Sequence, residues 1–282
     1  MMIATALVAG LGIGLALGAL GGGGSILAVP VLVYLLDQSA AQATTGSLVV
    51  VGTTSVISAF AAWRAGTALP ARGAVFGLVA TGGAVFGALA SSRVPENVLL
   101  ASFAALVGVV ATVMIVRQVG EARAERAGAT PRRSAASPGR GRFDDPIITF
   151  SPSFMCHCPR ALKVLVTATI VGLLTGFLGV GGGFLVVPAL VLALALPMHY
   201  AAGTSLVVIT ITSATALVVR AGNGPAPDWS LVALVTVASV AGGWLGTRMA
   251  RTVSTAGLQA AFTALLVLVG VYTAWNALPA LA

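Results

Sequence analysis

The chain has 282 residues, of which 58 % are apolar and only 8 % charged, with a mean hydropathy of +1.03. A soluble domain carries about 25 % charged residues, so this composition excludes a water-soluble globular protein and defines a polytopic membrane protein. The formal charge of +8 does not imply a nucleic-acid partner, because nine of the 15 Lys and Arg fall between Arg117 and Lys163, beside four of the seven acids. Basic residues next to transmembrane segments are what the positive-inside bias produces, and no nucleic-acid-binding domain is recognisable.

Met1 opens almost directly into hydrophobic sequence, so the first segment is expected to be retained rather than cleaved. From Met1 to Leu36 a continuous helix would run roughly 54 Å, against a hydrocarbon core of about 30 Å. A glycine run interrupts this stretch, where helix propensity is poor and the backbone can turn. The expectation is two helical segments joined at an unwound break. Spans follow at Ser47–Trp63, Gly73–Ser92 and Val98–Val116. Next comes an insert rich in Arg, Ala, Ser, Pro and Gly, expected to be a flexible cytoplasmic linker. Leu162 to Pro197 repeats the broken opening stretch, and Ser205–Val219, Leu231–Thr247 and Leu258–Trp275 complete the spans.

The domain organisation is therefore a first transmembrane repeat, 1–116, an Arg-rich linker, 117–163, and a second repeat, 164–282. The duplication is explicit. Gly18-Ala19-Leu20-Gly21-Gly22-Gly23-Gly24-Ser25, running to Pro30, recurs 158 residues later as Gly176-Phe177-Leu178-Gly179-Val180-Gly181-Gly182-Gly183, running to Pro188. Ser47-Leu48-Val49-Val50 recurs at the same offset as Ser205-Leu206-Val207-Val208. The fold class is all-α, with two homologous four-segment halves, each opening with a Gly-broken helix or re-entrant hairpin. If each opening segment is a hairpin, each half has three further spans and the halves are inverted. Thirteen basic residues then lie inside, with only Arg93 and Arg220 outside. Counting each opening stretch as one crossing gives eight spans and places 12 inside against three. Inverted repeats are favoured because they make physical use of the break. A duplicated membrane unit broken at matching places points to a transporter with its solute site between the halves.

The candidate site residues follow from chemistry. Unwound glycines expose backbone N–H groups, and the helix after each break points its positive end there, so anions can bind without a buried cation. Neither glycine run is followed by the Lys-Ser/Thr of a phosphate loop. Hydroxyls at Thr44-Thr45-Gly46-Ser47 and Thr53-Thr54-Ser55, with Gly203-Thr204-Ser205, Thr210 and Thr212-Ser213, can line a polar path and donate to an oxyanion. They can equally satisfy their own helix backbones. No span holds a convincing buried Asp or Glu, which weighs against a cation carrier and leaves a neutral or anionic solute. Arg64-Ala65-Gly66 and Arg220-Ala221-Gly222 recur near matching helix ends, where anchoring in headgroups is the simplest role. Cys156-His157-Cys158 offers metal-binding chemistry but falls short of a tetrahedral site, and two cysteines so close form no disulfide framework. No nucleophile, base and orienter set marks an enzyme. His199, beside Pro197 and Tyr200, sits at a helix junction.

These residues resemble the TauE/SafE family of sulfite exporters. The resemblance rests on the Gly-x-Gly-Gly-Gly-type segment ending at Pro30, the Thr-Gly-Ser-Leu at Thr45–Leu48, and the second-half partners ending at Pro188 and at Gly203–Leu206. It implies passage of a small sulfite-like or organosulfur anion through a prokaryotic plasma membrane by a multi-pass protein without cofactor or metal. A homo-oligomer is a further possibility to test. The implied substrate region is Gly21, Gly22, Gly23, Gly24 and Ser25 with Thr45, Gly46 and Ser47, and Gly181, Gly182 and Gly183 with Gly203, Thr204 and Ser205. Ser25 stands where Gly183 stands in the second half, and Thr45-Gly46 is inverted to Gly203-Thr204, so the halves contribute different groups. The competing class is a structural or assembly membrane protein whose glycines serve only close packing.

Overall fold

The computed structural model describes residues 2–91, 96–126, 158–178, 183–194, 196–220 and 227–277. Every regular element among them is helical. The first five helices are α1 (Met2–Leu20), α2 (Gly23–Pro30), α3 (Ala40–Arg64), α4 (Pro70–Ser91) and α5 (Glu96–Arg126). They are followed by α6 (Cys158–Leu178), α7 (Gly183–Ala193), α8 (Met198–Arg220), α9 (Trp229–Ala250) and α10 (Thr255–Ala277). Five of them, α1, α3, α8, α9 and α10, contain segments long and apolar enough to cross a membrane. The chain is an all-α, multi-pass membrane protein.

The expected spans hold their places but run longer. Helix α5 has 31 residues and ends at Arg126, and α6 starts at Cys158, so helix enters the segment read as linker from both sides. At 1.5 Å per residue α5 is about 46 Å long, so its last turns, built from good helix formers, extend beyond the hydrocarbon core. Most of the insert, with Cys156 and His157, lies outside the described residues. The first break is also narrower than the glycine run: only Gly21 and Gly22 leave the helix, and Gly23 and Gly24 open α2. Pro30 lacks an N–H for the regular ladder, and the chain widens into a π-helical segment, Val31–Leu35, straight after it.

After the break α2 folds back along α1, with Gly24 against Ile13 and Leu17. Ala28, Leu32 and Leu36 share one buried cluster with Ile13 and Leu17. The chain then turns at Asp37, which has a φ of 49°. Helix α3 starts with a capping box, in which the Gln42 N–H donates to Ser39 Oγ and the Ser39 N–H to Gln42 Oε1. At the start of α9 the Asp228 carboxylate accepts hydrogen bonds from the Ser230 hydroxyl and from the backbone N–H groups of Ser230 and Leu231. Those bonds, the Ser230 hydroxyl first, hold its pKa below the ordinary aspartate value.

Small residues decide which helices pair. Gly10 lies against Val235 and Ala238, Gly14 against Ser239 and Gly18 against Gly243, so α1 runs parallel to α9 at backbone contact. Gly172 and Gly176 lie against Ala80 and Ala84 in the same way, so α6 runs parallel to α4. Helix α3 follows α9, with Gly46 near Val232 and with Thr54 and Ser58 near Gly243; α8 follows α4, with Gly73 near Thr204 and Gly77 near Val208. Two three-helix bundles result, α1–α3–α9 and α4–α6–α8. They meet along α3 and α8, which cross antiparallel: Gly52 faces Ser213 while Gly203 faces Thr67 and Ala68 beyond the end of α3. Helices α5 and α10 pack together antiparallel, with Gln118 Nε2 donating to the Gln259 carbonyl at 2.9 Å and to Thr263 Oγ1 at 2.6 Å.

Replacing Gly14 by Ala puts a methyl group into the Ser239 carbonyl, whereas nothing lies within 4 Å of a Cβ on Gly12. Gly14→Ala is expected to cost about 1–3 kcal/mol through overpacking. Gly12→Ala is expected to leave stability equal or slightly higher, since Ala is the better helix former. Thermal unfolding of both variants in detergent checks this, and equal melting temperatures would contradict the parallel register of α1 and α9.

Candidate functional site

The first break is built around one residue that must be glycine. Gly21 has a φ of +74°, the left-handed region that side chains resist. A Cβ there would also strike Ser205 Oγ and Ala202. Gly22 has no room for a side chain either, because its backbone lies directly against the Gly183 carbonyl and the Phe184 N–H. The N-terminal ends of α2 and α7 therefore meet backbone to backbone. Ser25 is fully buried and its hydroxyl donates to the Gly22 carbonyl at 2.7 Å, which closes the turn. The same oxygen sits 2.6 Å from where a Gly183 Cβ would be, so the exchange of Ser for Gly between the halves is a matter of space. Ser205, also fully buried, donates to the Ala202 carbonyl at 2.7 Å beside Gly21.

The sequence-derived candidates thus divide. Gly21, Gly22, Ser25, Gly183 and Ser205 come together at the break. Gly24 packs the α1–α2 hairpin, and Gly23 faces Leu20 and Leu265. Gly46 faces Val232, Leu32 and Gln38, nearer the opposite end of the seam; Ser47 donates to the Thr44 carbonyl at 2.8 Å and Thr45 is half-buried. Gly203 abuts the α3–α4 turn, where Thr204 Oγ1 accepts the Leu69 N–H at 3.1 Å. Gly181 and Gly182 lie outside the described residues.

Further polar groups are buried without partners. The hydroxyls of Thr54, Ser55, Ser58 and Ser213 and the side-chain amide of Gln38 make no hydrogen bond. A buried polar group left unpaired costs about 1–3 kcal/mol. Thr54, Ser55 and Ser213 stand out in the sequence as duplicated hydroxyl runs. Gln38 and Ser58 were not signalled there, although Ser58 lies one helical turn beyond Thr54. Among the described residues the buried polar side chains are Ser, Thr and Gln only. Arg64 and Arg248 sit in the last turns of their helices, Arg64 5.0 Å over Phe60 and Arg248 4.1 Å over Trp244, the amphipathic posture of interfacial anchors. Arg117, within α5, donates to the Val191 carbonyl at 3.2 Å.

The break is closed. A narrow cleft of about 10 Å³, room for about one water, runs between Gly18, Thr67, His199, Ala202, Gly203 and Arg251. It shows that the α3–α4 turn, the start of α8 and the end of α9 share one face of the protein. A larger apolar groove of about 400 Å³ lies outside, along α1, α9 and α10.

A glycine-broken, multi-pass helical protein with a neutral, hydroxyl-lined interior is the architecture of a membrane transporter. Comparison with known proteins agrees: residues 6–273 match the family described as Sulfite exporter TauE/SafE, and the chain belongs to that family. The family is one of transporters, not of enzymes. A probable membrane transporter protein of Xylella fastidiosa strain 9a5c is 30 % identical over 268 residues, 94 % of this chain and 92 % of that protein. Its counterpart in strain Temecula1 is 29 % identical over 274 residues, with the same coverage. The probable membrane transporter protein YunE of Bacillus subtilis strain 168 is 34 % identical over 87 residues, 31 % of this chain and 30 % of that protein. No solved structure matches the chain.

Thr204→Val removes the acceptor for a Leu69 N–H in the tight α3–α4 turn. The expected loss is about 1–3 kcal/mol, the cost of an orphaned donor. A clear fall in melting temperature, restored by Thr204→Ser, checks it; an unchanged melting temperature in Thr204→Val would mean that the bond holds nothing.

Proposed function

We propose that this protein moves a small anion, sulfite-like or organosulfur, across a prokaryotic plasma membrane by alternating access around a site between two inverted repeats, 1–116 and 164–282. The observation that carries the reading is the meeting of Gly22 with Gly183 at the seam of two antiparallel three-helix bundles. The starts of α2 and α7 lie where the halves touch, and helix starts attract anions. Irregular backbone at membrane depth is tolerated where it is buried in protein or lines a cavity. The closed cleft fits an occluded state that opens when one bundle rocks on the other.

The inverted arrangement draws support from the antiparallel crossing of α3 and α8 and from the fold-back of α2 on α1. With the α3–α4 turn inside, Arg64, Arg72, Arg248 and Arg251 all face the cytoplasm, as the positive-inside bias favours. Both Xylella proteins carry the words probable membrane transporter, and the family model names sulfite export. The alternative, a structural or assembly protein, is favoured by one observation: the glycines at the break are packed tightly, with space there for little more than a water.

Flux from proteoliposomes separates the two readings. Vesicles are loaded with sulfite, thiosulfate, sulfate or sulfoacetate, with the membrane potential set independently. Saturable, protein-dependent efflux of one sulfur anion is expected, faster when the interior is negative if the anion moves alone, since each charge gains about 2.3 kcal/mol per 100 mV. A folded protein that carries none of the four would overturn the sulfur-anion proposal and favour the structural reading.

A further inference from the structure

We propose that Ser55 and Ser213, unpartnered near the crossing of α3 and α8, form the solute's track, hydrogen-bonding the oxygens of a small oxyanion when the bundles part. Thr54, Ser58 and Gln38, also unpartnered, lie on the neighbouring α9 side of α3. The proposal rests on the transport reading above. It goes beyond the glycine breaks to residues outside the Gly-Ser motifs.

The behaviour of neighbouring hydroxyls carries it. A serine or threonine inside a helix ordinarily turns its hydroxyl back to a carbonyl one turn earlier. On α8, Ser205, Thr210, Thr212 and Thr215 all do so. Ser213 does not, and neither do Thr54, Ser55 and Ser58 on α3. Their residue types and helical setting are the same, yet each is almost completely buried and each lacks a partner.

Their placement is equally ordered. Ser205 and Ser213 stand two turns apart on one face of α8, about 12 Å along its axis, and Ser47 and Ser55 stand the same way on α3. Because the helices run antiparallel, with Gly52 beside Ser213, the inner members Ser55 and Ser213 fall near the crossing and the outer members near opposite ends. Ser58 Oγ and the Thr54 methyl pack directly against Gly243 of α9, where a Cβ would not fit. Gln38 Oε1 lies beside Gly46, on the side of α3 that meets Val232 of α9. The unpaired Ser55 and Ser213 therefore lie near the centre of the seam, while the break, with Ser205 against Gly21, occupies one end.

The chemistry selects the ligand. Hydroxyl and amide N–H donors, with no buried carboxylate among the described residues, suit a ligand rich in acceptors. They bind it without a fixed positive charge that would hold it in place. A sulfite-like oxyanion has three acceptor oxygens and fits. A cation would need the carboxylates that intramembrane cation sites carry.

The test uses Ser55→Ala, Ser213→Ala and the double variant, with sulfite as the probe. Because neither hydroxyl makes a bond in the closed state, the variants are expected to fold with melting temperatures equal to or above wild type. Sulfite, compared with chloride at equal ionic strength, is expected to raise the wild-type melting temperature, and the double variant is expected to lose that rise. Sulfite flux should fall at least tenfold. Variants that keep both the sulfite-induced rise and flux within twofold of wild type overturn the proposal. Variants that melt earlier and lose flux in proportion also overturn it, because the hydroxyls would then be structural. Should wild type carry no sulfur anion, the transport reading fails by itself, and the sulfite-induced shift still decides whether these serines bind an oxyanion.

Discussion

The rest of the structure depends on the backbone contact of α1 with α9 and of α6 with α4. In lipid, helices gain nothing from hiding apolar surface from one another, so association rests on close packing and on hydrogen bonds. Gly10, Gly14 and Gly18 on one side and Val235, Ser239 and Gly243 on the other allow that approach, and the Ser239 hydroxyl adds a bond to the Gly10 carbonyl at 2.8 Å. The consequence is an exchange. The opening helix of each half is fixed to the fourth element of the other half, and the Gly21–Gly22 break rests against the starts of α7 and α8.

That exchange explains why the interior is both tight and polar. The bundles α1–α3–α9 and α4–α6–α8 are parallel within themselves and antiparallel to each other, and their common seam is α3 against α8. Within the bundles α1 meets α9 and α4 meets α6 at backbone distance. Across the seam Gly52 meets Ser213, whose hydroxyl is unpaired, and Gly203 meets the Thr67 carbonyl. The proposed rocking of one bundle on the other would have to open this α3–α8 seam. The neutral lining bears on the proposed solute, because a buried lysine or arginine would hold an anion and slow its release.

Much of this was legible in the sequence. The break at Gly21-Gly22 followed from a stretch too long for one span, and the later spans followed from runs of apolar residues between polar boundaries. The Gly-Ser motifs named Gly21, Gly22, Ser25, Gly183 and Ser205, and the structure brings these five together. What the sequence did not carry was the meaning of each glycine. Gly14 and Gly18 bind a neighbouring helix, Gly24 closes a hairpin and Gly21 turns the chain, yet all four read alike in a row of letters. Their roles depend on which helix lies opposite, and that is a property of the exchange between halves. Ser58 and Gln38 went unremarked for the same reason: whether a polar group has a partner is decided by the far side of the contact. The ends of α5 and α6 also ran past their expected limits, because charged helix formers continue a helix beyond the apolar stretch.

The central claim is that the two bundles move against each other about the α3–α8 seam. The direct measurement is a pair of distances by pulsed electron resonance, with thioether-linked spin labels in a chain lacking Cys156 and Cys158. One pair joins Ala71 on α4 to Arg251 after α9; the other joins Leu89 on α4 to Trp229 on α9. The account predicts that sulfite shifts the two distance distributions in opposite senses, one end opening as the other closes. Distributions that stay fixed at both ends while the labelled protein still carries anion would contradict it.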